Sequence, residues 1–123
     1  MIDPTLPYCY LTTTGRTSGE PREIEIWFAL SGNTLFLMAG GRETAHWVRN
    51  IQKTPAVTVR IDDVTYRAMG HLVEPGTEDD AQARRLLFEK YSPGYSGDLA
   101  TWRDTALPVA LKLQARRGIG PEG

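Results

Sequence analysis

Residues 11–28 read Leu-Thr-Thr-Thr-Gly-Arg-Thr-Ser-Gly-Glu-Pro-Arg-Glu-Ile-Glu-Ile-Trp-Phe, an order that suits a strand, a tight turn and a second strand. The threonine run is β-branched and favours extended, pleated backbone. Gly15 and Gly19 bracket a turn that needs positive φ or close backbone approach. Pro21 stands at the mouth of the second strand, where a missing N–H does least harm. Over residues 22–30 the pattern alternates: Ile24, Ile26, Phe28 and Leu30 share one face, and Glu23, Glu25 and Trp27 share the other. The first face belongs in a core. The second is polar yet carries an indole. Arg16 and Arg22 flank the turn beside it, and together these make a seat for a flat anionic ligand.

Short strands account for most of what remains. Residues 8–14 form the first strand of that pair, and Ser31-Gly32-Asn33 is turn chemistry leading into a strand over 34–39. That strand is apolar on both faces through Leu35, Phe36, Leu37 and Met38, so it is expected to be central and covered twice. Gly40-Gly41-Arg42 ends it, and Thr44 reads as the N-cap of a helix over 45–53 with Trp47, Val48 and Ile51 on its apolar stripe. Pro55 stops that helix, and strands over 56–61 and 64–73 follow, with Gly70 marking a bulge or a barrel corner. Thr77 with Asp80 is a capping signature for a helix that packs through Leu87, Phe88 and Tyr91. A loop over 92–97, a short helix over 98–105 and a last strand from Pro108 complete the pattern, and the polar, Gly-rich tail from Arg116 is expected to fray. The expectation is one α+β domain over residues 1–123, a six-stranded antiparallel Greek-key barrel with two or three flanking helices. So small a barrel has no room inside for a tricyclic ring, and a flat ligand must lie outside it, in a groove closed by a loop or a second subunit.

Composition excludes several functions. A net charge of -1 argues against nucleic-acid binding, which needs a basic surplus. Cys9 is the one cysteine and falls in a strand pattern, where a buried small hydrophobe is the expectation. No apolar run approaches the ~18 residues of a membrane span, and no signal peptide is evident, so a cytoplasmic location is expected. His46 and His71 stand without a Cys/His cluster, so no metal site is expected. There is no G-x-S-x-G, H-E-x-x-H or P-loop, so any catalysis would rest on a bound redox cofactor.

Several residues could hold such a group. Arg16 and Arg22 offer guanidinium forks for a phosphate or carboxylate tail, or are solvated turn residues. Ile24 is counted with the same groove. Gly40, Gly41 and Arg42 precede a helix start, where backbone N–H groups bind anions, although strand–Gly-Gly–helix is also common punctuation. His46 and Asn50 stand four apart on one helix face, beside Trp47. Trp27 could stack on a flavin-like ring or pack in a dimer interface.

The run from Thr12 to Arg22 resembles the deazaflavin-dependent nitroreductase family, within the split-barrel flavin-binding superfamily. The similarity continues through Gly40-Gly41, His46-Trp47-Val48-Arg49-Asn50, the stretch from Pro55 to Arg60, Trp102 and the last strand. The resemblance implies a homodimeric split barrel with its cofactor in grooves between subunits. It implies hydride transfer from reduced deazaflavin coenzyme F420 to a small electron-poor acceptor such as a quinone or nitro compound. Flavin mononucleotide (FMN) is the alternative cofactor, and a flavin- or haem-binding carrier without turnover is the alternative role. The positions matching Trp47 and Asn50 lie near the cofactor in that family, and the loop bearing Tyr95 lines its substrate pocket, which makes Tyr95 the candidate proton donor. Thr17 stands where many members have lysine, the connection before the 45–53 helix is shorter than usual, and His46 departs from the common pattern.

Overall fold

The computed structural model describes residues 2–116, so the expected fraying of residues 117–123 lies outside the described residues. The strands are β1 (Cys9–Thr14), β2 (Pro21–Ile26), β3 (Ala29–Ser31), β4 (Thr34–Ala39), β5 (Ala56–Ile61), β6 (Val64–Leu72) and β7 (Leu107–Arg116). The helices are α1 (His46–Lys53), α2 (Glu78–Tyr91) and α3 (Leu99–Thr105), with 3₁₀ turns at Arg42–Thr44 and Ser92–Gly94. All seven strands form one antiparallel sheet in the order β2-β1-β5-β6-β7-β4-β3.

That order proves the curl. β2 and β3 are the two edges of the sheet, yet only Trp27 and Phe28 separate them in the chain. Edges of a flat sheet this wide lie about 29 Å apart at the usual strand spacing. Three peptide steps span about 11 Å at most. The sheet therefore rolls until its edges meet, and the barrel splits at that seam. The single strand expected over 22–30 is two strands, which makes seven rather than six. Its alternation stays true through the break: Ile24, Ile26, Phe28 and Leu30 all pack in the barrel core.

Leaving the ladder at the seam strips Phe28 of strand partners, although it is fully buried. The end of α2 supplies replacements. The Tyr91 hydroxyl accepts from the Phe28 N–H at 3.0 Å and donates to the Pro7 carbonyl at 2.8 Å, while Lys90 Nζ donates to the Phe28 carbonyl at 2.9 Å. A buried backbone pair is thus satisfied by side chains instead of a ladder. Burial pushes the Tyr91 hydroxyl up to about 12 and pulls the Lys90 ammonium down to about 8.

Two cores result. Leu11, Phe28, Leu35, Leu37, Val59, Val109 and Leu111 fill the barrel, with Val48 and Ile51 of α1 plugging it. On the outer side, Ala29, Phe36, Met38 and Ala110 pack against Ala83 and Leu87 of α2. β4 is covered on both faces as expected, but it lies second from an edge rather than centrally. Thr77 caps α2 by accepting from the Asp80 N–H at 3.2 Å. Cys9 is fully buried, and desolvation raises its thiol to about 12.

Two local readings change. Thr44 does not cap α1: its hydroxyl donates back to the Gly41 carbonyl inside the 3₁₀ turn, and the helix starts after Ala45 without a side-chain cap. Gly70 is not the bulge: the irregularity in the β6–β7 pairing falls between Tyr66 and Ala68. Gly70 is a packing glycine, because a Cβ there would stand 3.1 Å from both Ile51 and Leu111 side chains. Its lack of a side chain lets α1 seat on the barrel.

Candidate functional site

The β1–β2 turn is closed by its own backbone, with the Gly15 N–H donating to the Glu20 carbonyl and the Gly19 N–H to the Gly15 carbonyl, both at 2.8 Å. Gly19 takes φ +75°, and a Cβ on Gly15 would lie 2.7 Å from Ser18 Oγ. The turn thereby lays Arg16 against α1. Asn50 Oδ1 accepts from the Arg16 N–H at 3.2 Å and from Arg16 Nη1 at 2.9 Å. Asn50 Nδ2 donates to Thr13 Oγ1 at 3.0 Å, and both of these side chains are buried. Lys53 Nζ donates to the Arg16 carbonyl at 2.7 Å. Arg16 Nη2 lies 3.1 Å from His46 Nδ1. Arginine only donates, so His46 Nδ1 is the acceptor in that contact.

Thr13, Gly15, Arg16, Ser18, His46 and Asn50 line a groove of about 540 Å³ that also includes Arg22, Ile24 and Trp47. Arg22 is exposed, and among the described residues its one hydrogen bond is to Ser18 Oγ, at 3.4 Å. Among the described residues no carboxylate forms a salt bridge with Arg16 or Arg22; the pairs formed are Arg42–Glu43, Arg84–Asp80, Arg85–Glu89 and Arg103–Asp104. Two guanidinium groups without counter-ions, one of them braced, form a cradle for an anion.

A second cavity, of about 400 Å³, opens further along β2. Trp27 is its hub. Tyr91 stacks on Trp27 with ring centroids 4.2 Å apart and planes within 4°, and Tyr95 and Trp102 meet it edge-on at 5.8 and 5.6 Å. Tyr8, Ile26, Met38, Leu99, Glu25 and Asp98 complete the lining. Asp98 caps α3, and hydrogen bonds from the Thr101 hydroxyl and the Ala100 and Thr101 N–H groups hold its carboxyl below the usual range. Gly97 leaves room for the Tyr95 ring, since a Cβ there would stand 2.6 Å from Tyr95 Cε2.

The structure therefore brings Arg16, Arg22, Ile24, His46, Trp47 and Asn50 together in one groove and places Trp27 and Tyr95 in the neighbouring cavity. Gly40, Gly41 and Arg42 line neither. Gly40 backs onto the Trp102 ring, and Arg42, at φ +53°, donates to the Thr105 carbonyl at 2.7 Å, tying the end of β4 to α3. Thr13 and Lys53 in the brace, and Tyr8, Met38 and Leu99 in the cavity, escaped the sequence reading. They come from separate elements and carry no shared local signal.

The rolled sheet with its helices is a split β-barrel. Solved structures share it. An F420-H2 dependent reductase (FDR-A) is 24% identical, with 88% of this chain and 94% of that chain covered and a TM-score of 0.67. An F420 reductase is 19% identical, with 92% and 91% covered and a TM-score of 0.66. The haem storage protein HutZ from Vibrio cholerae is 19% identical, with 95% and 90% covered and a TM-score of 0.70. At these identities the three establish the fold. Residues 3–114 match the F420H(2)-dependent quinone reductase family, and the chain belongs to it. F420 is accordingly its cofactor, and F420-dependent oxidoreduction its chemistry. The groove's donor set would suit a cofactor with an anionic tail: it offers two guanidinium groups with no carboxylate partner among the described residues, a buried amide and an indole. Among the described residues no helix is long and apolar enough to cross a membrane.

Proposed function

We propose that this protein reduces a small electron-poor acceptor, a quinone or nitro compound, using F420 in its reduced form. Arg16 and Arg22 grip the anionic tail of the cofactor, and Ile24, His46, Trp47 and Asn50 shape the rest of its groove. The acceptor lies in the cavity around Trp27, with Tyr95 at its mouth. Bound reduced F420 supplies a hydride, two electrons with one proton. A quinone then needs one further proton to become the hydroquinone, and the half-exposed Tyr95 hydroxyl or water provides it. Arg16 orients the tail because Asn50 and His46 hold it from two sides. Holding donor and acceptor in contact is the main catalytic contribution of such a scaffold. The protein works as a cytoplasmic homodimer in this reading.

The braced, carboxylate-free Arg16 beside Arg22 carries the proposal. Titration with F420, followed by quenching of its fluorescence, tests it. Binding at micromolar concentration is expected, and none at tens of micromolar rejects the assignment. Each charge-assisted bond is worth ~1.5–3 kcal/mol, so Arg16→Ala with Arg22→Ala should weaken binding by at least ~100-fold. Unchanged affinity would make both arginines bystanders. A yellow protein co-purifying with FMN would favour the alternative cofactor.

A further inference from the structure

The two cavities carry opposite charge. The groove holds Arg16 and Arg22, whereas the aromatic cavity has exposed Glu25 and Asp98 and no cationic side chain in its lining. Nearby cations are held by other groups: Arg42 by the Thr105 carbonyl, Arg103 by Asp104, Lys90 by the Phe28 carbonyl behind Tyr91, and Arg60 over the Tyr10 ring. Arg103 acts on Asp98 only at longer range, and among the described residues neither carboxylate forms an ion pair. Glu25 accepts from the Tyr10 hydroxyl at 2.6 Å, and Asp98 accepts from the α3 N-terminus and the Thr101 hydroxyl.

We propose that the aromatic cavity selects acceptors by charge: it takes a planar electron-poor ring that bears no negative charge, and Glu25 and Asp98 turn anionic rings away. The proposal deepens the reading above and rests on its placing the acceptor in this cavity. Trp27, Trp102, Tyr95 and Tyr8 offer electron-rich faces and edges to such a ring. An anionic substituent near two carboxylates in a partly desolvated cavity loses affinity on the order of ten-fold or more, and salt weakens the effect. The separation suits the chemistry: the arginine groove attracts the anionic cofactor, while an anionic molecule finds no welcome in the acceptor cavity.

Tryptophan fluorescence of the cofactor-free protein tests this directly. In a Trp47→Phe background the remaining tryptophans, Trp27 and Trp102, both line the cavity. The probes are 1,4-naphthoquinone and 1,4-naphthoquinone-2-sulfonate, and buried Cys9 presents no accessible thiol to either. Saturable quenching by the neutral quinone is expected, with the sulfonate at least ~10-fold weaker at low salt and the gap smaller in about 0.5 M NaCl. Glu25→Gln with Asp98→Asn should narrow the gap to ~3-fold. Glutamine still accepts from Tyr10, and asparagine is still an N-cap, so both changes preserve the fold. Equal affinity for the two probes, or an unchanged gap in the double variant, overturns the proposal. A parallel F420 titration of the parent protein, with Trp47 intact, separates the failures. F420 binding with no saturable quenching by the neutral quinone defeats this proposal and leaves the cofactor groove standing. A preserved charge gap without F420 binding defeats the proposed function instead.

Discussion

Replacing Asn50 tests the brace that links fold to site. Its side chain makes three hydrogen bonds, to Thr13 Oγ1, the Arg16 N–H and the Arg16 guanidinium, and it is only 4% exposed. Neutral bonds contribute ~0.5–1.5 kcal/mol net and charged ones ~1.5–3. Arg16 is partly accessible and regains some hydration, so Asn50→Ala should cost about 2–3 kcal/mol. For a chain of this size that lowers Tm by roughly 10 °C. F420 binding should weaken by about 5–10-fold as well, because Arg16 must then be ordered by the ligand at ~0.5–1.5 kcal/mol. Asn50→Asp separates the two roles. The carboxylate still accepts from Arg16 and the Thr13 hydroxyl can donate to it, so Tm should fall less than with alanine. Its charge occupies the guanidinium meant for the cofactor, so F420 affinity should fall more. Differential scanning fluorimetry and fluorescence titration read both quantities. An alanine variant within about 2 °C and two-fold of the parent would refute the brace, as would an aspartate variant that binds F420 normally.

The seam makes two further predictions. Tyr91→Phe leaves the buried Phe28 N–H without its 3.0 Å partner, so urea unfolding should show a loss of about 1–3 kcal/mol; no loss would mean that water replaces the hydroxyl. Burial holds Lys90 at about 8, below its ordinary 10.5, so the unfolded chain binds more protons between those values and this residue makes stability rise with pH across that window. Lys90→Met removes the cost of burying the charge, while the Tyr91 hydroxyl remains 3.2 Å from the Phe28 carbonyl. Allowing for a half-exposed ammonium, the variant should gain about 1 kcal/mol near pH 7, and the gain should vanish above about pH 10. A variant destabilised at pH 7 would show that the bond to Phe28 outweighs the burial.

Much of the fold was legible because it rests on local chemistry. Gly15, Gly19 and Gly32 mark turns, Thr77 and Asp80 mark a cap, and β-branched alternation marks strands. The seam was not legible. Ile26, Phe28 and Leu30 keep one period across it because β2 and β3 line the same barrel interior. What changes at Trp27–Phe28 is the hydrogen-bonding partner, β1 on one side and β4 on the other, and periodicity reports burial rather than partnership. The bulge alternative at Gly70 failed for a similar reason. Its neighbours Ile51 and Leu111 are distant in sequence, so packing and bulging look alike there.

The site divides along the same line. His46 and Asn50 share a helix face and Arg16 sits in a glycine-bracketed turn, so their meeting follows from local geometry once α1 plugs the barrel. The aromatic cavity draws on separate elements. Extending the β3–β4 register by two residues sets Trp27 opposite Met38, while Leu99 and Trp102 come from α3, far along the chain, with no local signal of their arrival. The alternation kept through the break points Trp27 away from the core that holds Phe28, and Tyr91 fixes both residues, stacking on the indole and bonding to the Phe28 peptide. The seam and the aromatic cavity therefore share Tyr91 as a common support. A substitution that loosens the seam, such as Tyr91→Phe, should disturb neutral-quinone binding at Trp27 while leaving F420 affinity in the arginine groove intact. Equal loss at both places would mean that the two sites are not independently supported.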